Sequence, residues 1–146
     1  MTGVQTCALP ICRVQAHEMT HLVFNRFFEG RLPLWLNEGI AEYFGQRKTS
    51  SIVEFRRMMG QTVKFDLETL LTSSTYPRDE KDIHAFYAES AIIVDFLTKD
   101  PDRRALLPKF VEEMIAHKDM AEAVEVYRYK SLGEFKKAYD RYRTRF

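Results

Sequence analysis

Two short strings constrain this chain most: His17-Glu18-Met19-Thr20-His21 and, after sixteen intervening residues, the Glu38 of Leu36-Asn37-Glu38-Gly39. Histidines four apart project from one face of a helix, one turn from each other, so both imidazoles can reach a single ion. Zinc sites that do chemistry take three protein ligands and leave the fourth position to water. Glu38 supplies the third ligand here. Glu18 follows the first histidine at the edge of that face, where a carboxylate can take a proton from water on the metal. The motif thus predicts a Zn2+ site on His17, His21 and Glu38, with Glu18 as general base.

The flanking residues fit a site of that kind. Val14, Leu22, Val23, Phe24, Phe27 and Phe28 make the first helix strongly apolar, as expected of a buried helix. The stretch from Leu34 to Phe44 reads as a second apolar helix with Glu38 and Glu42 one turn apart. Burying two carboxylates there is costly unless they bind a cation or accept hydrogen bonds. Gly39, inside that helix, costs about 1 kcal/mol against alanine and predicts close approach of another backbone or of the metal site.

H-E-x-x-H followed by W-L-N-E-G-x-A-E-Y-F resembles the gluzincin metallopeptidases, in particular the peptidase MA-like domains and more remotely the thermolysin and aminopeptidase groups. The likeness is dense over residues 13–45 and readable to about residue 98. The interval from His21 to Glu38 is two residues shorter than in the aminopeptidases, which points to the MA-like group. The resemblance implies peptide-bond hydrolysis of a peptide or protein substrate, with His17, His21 and Glu38 as zinc ligands and Glu18 as base. It makes Glu42 a carboxylate that orients a ligand histidine through its other ring nitrogen. Tyr87-Ala88-Glu89-Ser90-Ala91 is similar to the family's Tyr-x-x-Gly/Ser segment, whose tyrosine donates to the oxyanion. A phenol suits that role, being neutral at pH 7 yet a directed donor. His84, one turn earlier, is the alternative donor. The family places a small β-sheet ahead of the H-E-x-x-H helix, and its members are often exported or in the cell envelope. Two other functions stay open: a catalytically inactive pseudo-peptidase, and a helical module that binds peptide or protein.

Residues 1–12 read differently. Met1 to Ile11 resembles the translation of a sequencing-library adapter, whose last base would open the codon for Cys12. Those residues are therefore excluded from fold reasoning, as a scar would be. The native chain is expected to be cut at its N-terminus, with the family's sheet lost upstream of Arg13. A signal peptide ending at Cys12 is excluded because the stretch has no basic start, too short an apolar run and no small residue at position 11. Both cysteines, Cys7 and Cys12, fall in this segment, so a disulfide framework is excluded.

The net charge of +1 gives no support to nucleic-acid binding. No run approaches a membrane span; Ala91-Ile92-Ile93-Val94 is broken by Asp95. Residues 13–146 suffice for one core and are expected to form a single partial domain. Zinc-site helices would occupy 13–48 and a helical C-terminal lobe 49–146. The fold expected is mainly α, the active-site helix pair and C-terminal lobe of a zincin-like gluzincin without its sheet. Helices are predicted over about 13–29, capped by Gly30, and over 34–46, set up by Pro33. An exposed polar segment, 47–51, would lead to a short helix from Ile52 to Met59. A turn or two follows Asp66 as cap. Residues 72–79 read as a loop, and 82–98 as an amphipathic helix with Phe86, Tyr87, Ser90, Ile93, Val94 and Leu97 on one face. Asp100-Pro101 starts a helix to about His117, with His117 and Lys118 as ordinary C-terminal charges. Two further helices are expected over 120–128 and 131–145. The cations of the last, Lys136, Lys137, Arg141, Arg143 and Arg145, are read as a solvated face.

Overall fold

In the computed structural model the described backbone covers residues 10–49, 52–62, 64–117 and 119–145, with side chains from Arg13 onward except at 47–49, 52, 53 and 117. The order is α1 (Pro10–Phe28), α2 (Leu34–Thr49), α3 (Ile52–Gly60), α4 (Leu67–Thr72), α5 (Glu80–Leu97), α6 (Pro101–His117), α7 (Met120–Ala123), a 3-10 turn (Val124–Tyr127) and α8 (Leu132–Arg143). The fold is mainly α, and no strand occurs among the described residues. No helix among them is long and apolar enough to cross a membrane.

Side-chain caps start most of these helices. Asp66, Asp79, Asp100 and Asp119 accept from the backbone N–H of Thr69, Lys81, Arg103 and Ala121, each at 2.8–2.9 Å. Ser131 accepts from Glu134 N–H at 3.2 Å, while the Glu134 carboxylate reaches back to Lys130 N–H at 2.7 Å. Each contact satisfies an amide that the first helical turn leaves without a partner. Asp66 and Asp100 are the caps expected from the sequence.

The core is built around α5. Ala85, Phe86 and every residue from Ala88 to Leu97 are buried, so this helix is enclosed on all sides rather than amphipathic. Its charged residues are enclosed with it and paired. Glu89 accepts from Tyr139 Oη and from Arg143 Nε at 3.2 Å, and Asp95 accepts from Tyr142 Oη and from Arg56 Nε at 3.1 Å. These bonds tie α8 and α3 to the central helix. Arg143 is therefore buried, not part of a solvated face, because Glu89 requires a cation. The α2 helix lies against α5 so closely that a Cβ on Gly39 would stand 2.4 Å from the Ser90 carbonyl oxygen. That is the close backbone approach its position predicted.

The first helix departs from expectation in two respects. It begins at Pro10, a residue suited to a first helical position, so residues 10–12 are helical. Its apolar residues are largely exposed: Val14, Met19, Leu22, Val23 and Phe27 face outward, Phe27 at 70% exposure. They are spread around the helix, and α1 packs chiefly on α2, which covers only the side carrying Ala16, His17, Thr20, His21, Phe24 and Phe28. The expected burial of α1 is corrected accordingly. It ends at Phe28, with Glu29 (φ 51°) and Gly30 (φ 70°) both left-handed; glycine bears that conformation without strain. The α2 helix runs on to Thr49, past the expected end at Gln46. The predicted helix over 120–128 is instead one α-turn and one 3-10 turn, closed by Arg128 at φ 63°. Residues 1–9, the side chains of the 47–51 segment, and those of His117 and Lys118 lie outside the described residues.

Candidate metal centre

The two halves of the site come from consecutive helices crossing at close range. His17 and His21 stand on the inner face of α1, and Glu38 on the face of α2 turned toward them. Their Nε2 atoms are 3.0 Å apart, and Glu38 Oε2 lies 3.5 Å from His17 Nε2 and 3.3 Å from His21 Nε2. Three donor atoms from residues 17, 21 and 38 thus converge on one point. Glu38 is only 3% exposed, and its Oε2 has no hydrogen-bond partner among the described residues. A buried, unpartnered carboxylate oxygen facing two imidazole nitrogens is what a cation site requires.

The opposite atom of each side chain is engaged. His17 Nδ1 lies 3.4 Å from Glu42 Oε1, and His21 Nδ1 lies 3.3 Å from Asn37 Oδ1. A carbonyl or carboxylate oxygen can only accept, so a proton on Nδ1 of each ring would suit both contacts and would leave each Nε2 with a lone pair for a cation. Glu38 Oε1 accepts from the Tyr76 hydroxyl. Each ring and the carboxylate is thereby held in the orientation that turns one donor inward. Glu42 lies beside His17, the contact that its expected orienting role would use. Asn37 and Tyr76 were not singled out by sequence as site residues. The only signal for Tyr76 is a large aromatic in a polar loop; Asn37 precedes Glu38 in the motif but shows its partner only once α1 and α2 are packed.

The electrostatics follow from these contacts. The close approach of Glu38, which the protonated ring could donate to, raises the His17 pKa above its usual value against the opposing effect of burial, and the charges of Glu42, Glu38 and Glu18 add to the rise. Burial would push Glu38 up, but the approach of His17, the hydrogen bond from Tyr76 and the charge of either histidine when protonated outweigh it and hold the carboxyl low. The cluster is therefore anionic enough to hold a proton or a cation between its members. Glu18 is exposed at its edge. The Tyr87 ring lies 6.4 Å from the His17 ring, and burial and then the Glu38 charge raise its pKa, which keeps the phenol protonated. His84 is exposed and lies 3.9 Å from Glu80 on its own helix.

Fold and site together define a mainly helical protein with a His-His-Glu group able to hold a metal ion. Two imidazoles and one carboxylate suit zinc and also other first-row divalent ions. In comparisons with known proteins, the chain matches no family model, no curated protein and no solved structure.

Proposed function

We propose that this protein binds zinc on His17, His21 and Glu38 and hydrolyses peptide bonds in the manner of the gluzincin metallopeptidases that its motifs resemble. One observation carries the reading: the free donor atoms of all three side chains face each other at 3.0–3.5 Å while the opposite atom of each is held by a partner. An accidental H-E-x-x-H string has no reason to find a buried carboxylate and three orienting contacts.

Zinc, when bound, supplies a Lewis acid that brings the pKa of water from about 16 to near 7. Glu18, at the exposed edge of the cluster, takes the proton of the attacking water on a carboxylate oxygen and passes it to the leaving amine nitrogen. Tyr87 turns its hydroxyl to the carbonyl oxygen as that atom gains negative charge. Glu42 and Asn37 keep the two imidazoles in the tautomer that leaves Nε2 free.

Elemental mass spectrometry of the purified chain tests the metal half of this reading. One zinc per chain is expected, and none in His21→Ala. A fluorogenic peptide mixture tests the other half: Glu18→Gln should keep its zinc and lose cleavage by at least a hundredfold, the usual weight of a general base. Cleavage retained in zinc-loaded Glu18→Gln would remove Glu18 from the mechanism.

A further inference from the structure

The contacts around the three donors are not alike in origin. Asn37 and Glu42 belong to α2, the helix that carries Glu38, so one rigid element places them. Tyr76 does not. It comes from the loop between α4 and α5, 38 residues beyond Glu38 in sequence. The residue is 47% exposed, yet its hydroxyl is directed inward onto a carboxylate that is 3% exposed. Its ring lies against Phe86 and Tyr87, 6.1 Å from the centroid of each, which fixes the direction of the hydroxyl.

That bond has a consequence for Glu38. A free carboxylate offers an ion either oxygen or both. With Oε1 accepting from Tyr76, Oε2 is the oxygen left to face the histidines.

We infer that Tyr76 is a positioning residue for Glu38: its hydroxyl occupies Oε1, leaves Oε2 for the ion, and so couples the loop over residues 73–79 to metal binding. The inference rests on the metal-site reading above and extends it from the ligands to a loop outside the helix pair. Coupling of this kind is reciprocal. Whatever the loop contributes to metal affinity, the metal returns as stability of the loop.

The test uses the full chain and zinc alone, with affinity read by competition against a chromophoric chelator. Tyr76→Phe keeps the ring against Phe86 and Tyr87 and removes only the hydroxyl. It should weaken zinc binding about 10- to 100-fold, the usual cost of losing a contact behind a ligand. Equal affinity in the variant and the parent overturns the inference, even if the variant melts lower, since a hydroxyl that served only folding would not move the affinity. A parent chain that binds no zinc would overturn the metal reading itself, so the two failures are told apart. Amide hydrogen exchange of the unaltered protein gives a second arm that needs no substitution. Zinc should slow exchange over residues 73–79, and unchanged exchange there in a zinc-loaded protein overturns the coupling.

Discussion

Gly39 shows how one residue can serve the whole site. A Cβ at this position would meet the Ser90 carbonyl oxygen at 2.4 Å and the carbonyl carbon at 2.8 Å. Backbone cannot yield as a side-chain end can, so α2 would have to move off α5. Gly39→Ala gains about 1 kcal/mol of helix propensity and should still destabilise, because forcing volume into a packed interface costs about 1–3 kcal/mol. Glu38 is its neighbour, so the displacement should also weaken zinc binding. Gly133→Ala is the control: its new Cβ would have only the Ser131 hydroxyl oxygen near, at 3.8 Å, and the thermal midpoint should stay level or rise. A stable Gly39→Ala would mean that the helix crossing is looser than described. At this scale the sequence was informative about the donors themselves. His17, His21, Glu38 and Glu42 stand out because their spacing matches a helical turn. Tyr76 and Asn37 do not, since no local period joins a loop tyrosine or a motif asparagine to its partner.

Among the elements, α8 depends on one charged contact more than its apolar stripe suggests. Phe135 and Tyr139 are fully buried, as the stripe predicts, but Arg143 is turned inward to Glu89, which has no exposure at all. Removing one partner of a buried pair leaves the other charge uncompensated, at a cost of about 3–5 kcal/mol. Arg143→Ala should therefore lower the unfolding free energy by an amount in that range. Lys137→Ala, on the exposed face of the same helix, should change it by less than about 0.5 kcal/mol. Chemical denaturation of the two variants decides the point, and equal midpoints would show that the Glu89 contact contributes nothing. From the sequence alone, Arg143 is one of five cations in a polar helix. Nothing in its own helix indicates that a carboxylate on α5 requires it. The exposed side of α1 is the converse case: an apolar composition implied burial, while packing chiefly on α2 covers only part of the circumference.

For the molecule as a whole, the buried phenols set a limit on the alkaline side. Burial raises the pKa of Tyr127, Tyr139 and Tyr142, and the Glu89 and Asp95 carboxylates add to it for the latter two. In the unfolded chain these tyrosines ionise near pH 10. A raised folded-state value means that their stabilisation is complete below that pH and is lost as the pH climbs toward the folded-state value. Urea midpoints should hold steady from pH 8 to about pH 9.5 and fall steeply above it, with the fall less steep in Tyr142→Phe. A midpoint unchanged up to pH 11 would contradict the enclosure of these hydroxyls. The effect belongs to the whole fold because the three hydroxyls are enclosed by different elements: Tyr127 of the 3-10 turn packs on Phe110 of α6, and Tyr139 and Tyr142 of α8 reach Glu89 and Asp95 of α5.

What the sequence determined by itself was local: helical class, most helix starts, and the donor types at the spacing a metal ion needs. Those follow from capping chemistry and from the 3.6-residue turn, both written over a few neighbouring positions. Tertiary structure alone decided which side of α1 is covered, that Arg143 is enclosed, and that a loop tyrosine closes on Glu38. Each of those depends on residues far apart in the chain arriving within a few ångströms of each other, and no short-range period encodes such a meeting.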